Sequence, residues 1–205
     1  MPSYAFDGVV PVVDPTAFVH ETASLIGDVV IGRGCYIGPF ASLRGDFGRI
    51  VVGEGSNVQD SCVIHAFPGA DAVLDPHSHV GHGAVLHGCR IGSFALIGIG
   101  ATVLDGAEIG ADALLGAGAV VTAGTVIPPG SKALGAPARV VGLLDDDAQE
   151  WKRNGVRIYQ ELARRSRETL VAVEPLPAAE PDRRRTTWAA DAATPLHRRR
   201  AEGPR

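Results

Sequence analysis

The chain has 205 residues, 45% of them hydrophobic, which suits one domain with a real core plus appendages. No run approaches the roughly 18 apolar residues of a membrane span, and the opening MPSYAFDG lacks the basic-then-apolar pattern of a secretory signal, so a cytoplasmic location is expected. A formal net charge of −4 gives no electrostatic reason to bind nucleic acid or an anionic membrane.

From the N-terminus onward, branched aliphatics recur every sixth residue. Val19, Leu25, Ile31, Ile37 and Leu43 form one register, and Val52, Val58 and Ile64 a second. A third takes in Val73, then Val85, Ile91, Ile97, Val103, Ile109, Leu115, Val121 and Ile127. Two positions before most of these stands a small residue, such as Ala23, Cys35, Ala41, Cys62 or Ala95, and glycine often follows. A period of six is neither the two of a strand nor the 3.6 of a helix, and 26 glycines argue against helix. It is the period of a hexapeptide solenoid, in which each unit forms one flat face of a triangular coil and three units make a turn of roughly 18 residues. The predicted fold is an all-β solenoid, a left-handed parallel β-helix over residues 1–142, with the aliphatics inside and the small residues at its corners. Cys35, Cys62 and Cys89 occupy corner positions on three different faces. They read as small buried hydrophobes in a reducing compartment, not as a disulfide framework or a metal set.

The segment Gly135 to Arg139 ends the repeat with a turn, and residues 143–173 are predicted to carry a helix from Asp145 to about Val171. Asp145, Asp146 and Asp147 suit its N-terminus, while Trp151, Ile158, Leu162 and Leu170 supply a stripe to pack on the prism or a neighbouring subunit. Gly155 weakens its middle. Residues 174–205 turn to proline, alanine and arginine, with arginine triplets at 183–185 and 198–200. A solvated, largely irregular tail is expected there, because an RNA-binding arm calls for more net charge and interleaved aromatics.

His65, His77, His79, His82 and His87 cluster within the repeat, with His20 and His197 far away. Imidazole is the commonest metal-binding side chain, and three of them with one position left open make a catalytic zinc site. With a three-residue insertion between Ile64 and Val73 discounted, His65 and His87 stand nearly one turn apart, so they should be neighbours on adjacent coils at about the 4.8 Å strand spacing. His82 lies five residues before His87, or roughly 15 Å along an extended strand, out of reach of the pair in one chain. A neighbouring prism in a three-fold homotrimer could present its own His82, giving sites shared between subunits. The sequence assigns no role to His77 or His79.

Arg44-Gly45-Asp46, then Asn57-Val58-Gln59-Asp60, then His65, then His82 and His87 in VGHGAVLHGC resemble the motif set of the γ-class carbonic anhydrases in order and spacing. Within that family the chain is most similar to the phenylacetic acid degradation branch, with the carnitine-operon branch as a near relative. YAFDGVVPVVDPTAFVH, LRGDFGRIVV, the HAFPGAD insertion, HSHVGHGAVLHGC and the run from EWKRNGVRIYQEL into ETLVAVEPL carry that similarity. The resemblance implies that His65, His82 and His87 ligate Zn2+, or Fe2+ or Co2+ in its place. It implies that Arg44 and Asp46 form an ion pair between subunits, that Gln59, helped by Asn57, orients the water at the metal, and that Asp60 supports the site from behind the ligands. Tyr159 is similar to a tyrosine that some members place near the metal. Phe47 stands where the carbonic anhydrases carry an acidic proton relay, which puts fast CO2 hydration in doubt.

The expected function is therefore attack on a carbonyl carbon by hydroxide activated at a metal. The resemblance favours an acyl-CoA or aryl-CoA thioesterase of phenylacetate-type catabolism, with hydration of CO2 to bicarbonate as a second activity. Two alternatives stay open: a CoA-dependent acyltransferase of the hexapeptide type, whose C-terminal turn GAPAR resembles, and a non-catalytic, metal-stabilised trimeric accessory protein.

Overall fold

The computed structural model describes residues 3–188. It is a parallel β-solenoid of about seven turns, a left-handed β-helix followed by a single helix, α1, at Asp146–Thr169. One face stacks the short strands Phe18–Val19, Tyr36–Ile37, Asn57–Val58, His79–Val80, Leu96–Ile97, Leu114–Leu115 and Ser131–Leu134. The second carries Val63–His65, Val85–His87, Thr102–Val103 and Val120–Val121, and the third Ala72–Leu74, Arg90–Ile91, Glu108–Ile109 and Val126–Ile127. Two longer strands, Ser24–Ile31 and Ser42–Val52, bend across the edge between these last two faces and contribute to both. At the far end, Arg139–Leu143 pairs antiparallel with Ser131–Leu134 and closes the stack.

The core is one column of aliphatics. Leu25, Ile37, Leu43, Val58, Ile64, Ile97, Val103, Leu115 and Val121 are each fully inaccessible, and the corner alanines and cysteines pack beside them. Burial is the cause of the six-residue phase, because each face has room for one large side chain pointing inward. Desolvation pushes the three cysteine thiols up to about 11, 11 and 12, which leaves them unreactive on their three separate faces.

The third register needs a correction. The inward residues are Leu74 and Leu86, not Val73 and Val85, which lie half-buried on the outer surface. Each pair is two adjacent apolar residues, so hydrophobicity alone does not say which one turns in. His65 and His87 are 22 residues apart, four more than the 18 that separate His87 from Asp105. The insertion is thus one residue longer than the sequence suggested, and the phase is recovered at the corner of Gly88, where φ is +52°.

The helix starts at Asp145, whose carboxylate accepts the backbone N–H of Ala148 at 2.8 Å. It lies on the first face, against Phe18–Val19, Tyr36–Ile37 and Asn57–Val58. The face it buries differs from the predicted stripe. Ala148, Lys152, Val156 and Ala163 are buried, whereas Trp151, Ile158 and Leu162 are half-buried and Leu170 is exposed. Fully buried Lys152 donates to the Phe94 carbonyl and sits 3.5 Å from Asp112, while Arg153 forks onto the same carboxylate. Burial pulls the Lys152 ammonium down to about 8, with Asp112 opposing the shift. Gly155 has a positive use, since a Cβ there would stand 3.3 Å from the His79 ring. Between the helix and residue 188 there is no strand or further helix; Arg198 to Arg200 and His197 lie outside the described residues.

Candidate functional site

Two groups of predicted residues form within the chain, on different parts of the prism. The first is on the second face. His65 and His87 are register partners on adjacent coils, with Nδ1 of His65 3.2 Å from Nε2 of His87. Each ring is fixed from the other side: His65 Nε2 donates to Asp46 at 2.9 Å, and His87 Nδ1 to Asp105 at 2.6 Å. Arg44 holds the second oxygen of Asp46 at 3.1 Å within the same chain.

With one nitrogen of each ring committed to a carboxylate, the two that face each other are both lone-pair acceptors in the neutral imidazoles. Their separation of 3.2 Å is that of two nitrogens sharing one proton or one metal ion. Two nitrogens bound to tetrahedral zinc at about 2.0–2.1 Å are about 3.3 Å apart, so the separation of the pair suits a divalent metal. Carboxylate-backed histidines are also the usual support for metal ligands, because the carboxylate fixes the tautomer and raises the basicity of the free nitrogen.

The second group lies under and beside α1. His82 has the same support, its Nδ1 2.5 Å from Asp60, and its Nε2 is 3.5 Å from the Tyr159 hydroxyl. Burial pushes that phenol up to about 12. Gln59 is almost fully buried and donates through Nε2 to Asn57 at 3.0 Å and to His79 Nε2 at 2.7 Å. With Gln59 as donor, His79 carries its proton on Nδ1, which is buried without a hydrogen-bond partner, and burial holds its pKa down at about 4, so it is neutral. With both amide hydrogens of Gln59 engaged, its Oε1 remains as the acceptor end. His77 docks the helix: its Nδ1 meets Gln160 at 3.1 Å and its ring stacks on Phe94 at 4.8 Å.

The three predicted ligands are thus divided as their spacing required, His65 with His87 and His82 apart. Among the described residues of one chain, no three or more His, Cys, Asp or Glu side chains converge as a metal site. Asp105 is a site residue that the sequence reading missed. Its signal was its distance from His87, one ideal turn of 18 residues. If a divalent metal bridges the pair, Asp105→Asn should weaken its binding by about 10-fold to 100-fold while leaving the fold intact, measured by competition with a chelator. Unchanged affinity would make Asp105 a packing residue only.

A family model described as bacterial transferase hexapeptide (six repeats) matches residues 88–123. The carnitine operon protein CaiE of Citrobacter koseri is 49% identical over 185 residues, 90% of this chain and 94% of that protein. Its counterpart in Escherichia coli O157:H7 is 45% identical over 191 residues, 93% and 97% of the two chains. Among solved structures, a hexapeptide transferase family protein of Anaplasma phagocytophilum superposes with a TM-score of 0.77 at 34% identity, over 80% of this chain and 96% of that one. A candidate acetyltransferase of Bacillus cereus gives 0.80 at 34% identity, over 81% and 96%. The near relationship to the carnitine-operon branch is thereby found.

Proposed function

Because the chain belongs to the hexapeptide transferase family, alongside the carnitine operon protein CaiE, we propose that it is an enzyme acting at a carbonyl carbon, specifically a metal-dependent thioesterase for acyl-CoA or aryl-CoA esters with CO2 hydration as a second activity. The carbonic anhydrase likeness and its phenylacetate branch belong to this proposal. The observation that carries it is the facing pair His65 and His87, each backed by a carboxylate, with nitrogens 3.2 Å apart. A base-only acyltransferase usually needs one histidine base, not two carboxylate-backed imidazoles facing each other.

In this reading His65 and His87 of one subunit and His82 of the next hold Zn2+, or Fe2+ or Co2+, in a homotrimer. A bound divalent metal supplies a water that ionises near neutral pH and an electrophile for the carbonyl oxygen. Asp46, Asp60 and Asp105 hold the three imidazoles in the ligating tautomer. Gln59 accepts a hydrogen bond from the attacking water through Oε1 and so directs its lone pair, while Asn57 and neutral His79 keep the amide from turning. Tyr159 steers the His82 ring, and Arg44 holds the second oxygen of Asp46 in place.

CoA-dependent acyl transfer is the second reading, supported by the descriptions of the matched transferase repeats and of the Bacillus protein. Free CoA released from phenylacetyl-CoA, with and without amine or hydroxyl acceptors, separates the two. Hydrolysis without acceptor, abolished by chelation and restored by Zn2+, is expected, and Gln59→Ala should keep the metal while turning over 10-fold to 100-fold more slowly. Release that requires an acceptor and ignores chelation would establish transfer. Absence of turnover on thioesters and CO2 at full metal occupancy would leave an accessory protein.

A further inference from the structure

Two phenylalanines flank the facing imidazoles. Phe47 lies against His65 with ring centroids 5.1 Å apart, and Phe67 against His87 at 4.9 Å. In the single chain both are more than half exposed, at 52% and 58%. The chain has only six phenylalanines, and neither of these belongs to the six-residue repeat. They sit on the two excursions that interrupt it, one inside Ser42–Val52 and one between Val63–His65 and Ala72–Leu74. Nothing in the packing of the prism calls for an aromatic ring at either place. Exposed aromatic surface converging on a polar centre is characteristic of a binding site.

Beside Phe47 lies an open surface cleft of about 520 Å³, whose other apolar walls are Phe6 and Val9 of the N-terminal turn. Its charged walls are acidic. Asp7, Asp28, Asp46 and Asp71 face it together with a single cation, Arg49, which is already engaged by Asp28 at 2.9 Å and gives its backbone N–H to Asp71. Gly48 also lines it, and a Cβ there would run into the Ala70 carbonyl, so only glycine fits beside Phe47.

We propose that Phe47, Phe67 and the cleft beside Phe47 receive the acyl arm of the substrate, selecting an uncharged apolar or aromatic arm and rejecting one that ends in a carboxylate. The rings provide apolar contact beside the reacting carbonyl, and the acidic wall repels an anionic arm. Phe47 therefore has a binding use, besides replacing a proton relay. The inference rests on the thioesterase reading for its substrate class, but its test does not require turnover.

Binding of phenylacetamide (the amide) and of 4-carboxyphenylacetamide, whose arm ends in a carboxylate (the acid), to the metal-loaded protein is measured by calorimetry, in parallel with kcat/KM for phenylacetyl-CoA and succinyl-CoA. The amide should bind at least about tenfold more tightly than the acid. Phe47→Ala and Phe67→Ala should each weaken the amide by about tenfold with metal content unchanged, and Phe47→Leu should recover part of the loss. Asp7→Asn should narrow the gap between amide and acid without changing the amide. Equal binding of amide and acid, or amide binding indifferent to both phenylalanines, would overturn the proposal. If the amide binds as described and no thioester is hydrolysed, the receptor stands and the thioesterase reading falls.

Discussion

His65→Ala, His82→Ala and His87→Ala should each lose tightly bound metal and turnover together, because each leaves only two protein ligands on an ion that needs three and an open position. The effects should not add, since one ligand removed already empties the site. The structure separates this from simple misfolding. None of the three side chains points into the aliphatic column, and the strands beneath them are held by Ile64 and Leu86. Metal analysis and thermal unfolding of the three variants check the result. Loss of metal only at His65 and His87, with His82→Ala indistinguishable from the parent chain, would remove His82 from the site.

Leu86→Ala should destabilise the chain by about 2–5 kcal/mol, whereas its neighbour Val85→Ala should cost under about 1 kcal/mol. Leu86 is fully inaccessible, pointing into the prism from the same strand that carries His87, and Val85 lies on the outer surface. Truncation of Leu86 leaves a cavity that the rigid stack of coils is poorly able to collapse. Denaturant midpoints at one fixed protein concentration compare the two. Equal losses, or a larger loss at Val85, would restore the register that a strict six-residue count implies.

That pair shows where the sequence stops being readable. The repeat is legible because every face admits one large inward residue, so Leu25 to Leu43 and Ile91 to Ile127 declare themselves. At Val73-Leu74 and Val85-Leu86 two apolar residues compete, and the choice depends on the length of an excursion that the chain makes outside the core. The helix was legible from its acidic start, but its buried face was not. Lys152 reads as solvent-exposed in a sequence, and only the carbonyl of Phe94 and the carboxylate of Asp112 make its burial tolerable. The histidine pair followed from coil spacing, whereas Asp105 and the Gln59 to His79 bond came from neighbours one turn away that no local motif marks. His77 and His79, without a role in the sequence, turn out to hold the helix and the Gln59 amide.

The account depends most on a metal site built from two chains. It is tested by mixing His82→Ala protein with His87→Ala protein after subunit exchange has been demonstrated with labelled chains. Each variant alone should bind no metal tightly, and the mixture should recover about one site in four, because a random pairing places an intact His65 and His87 beside an intact His82 that often. A mixture that exchanges subunits and recovers neither metal nor turnover, or a stable monomer that keeps one tightly bound metal, would contradict it.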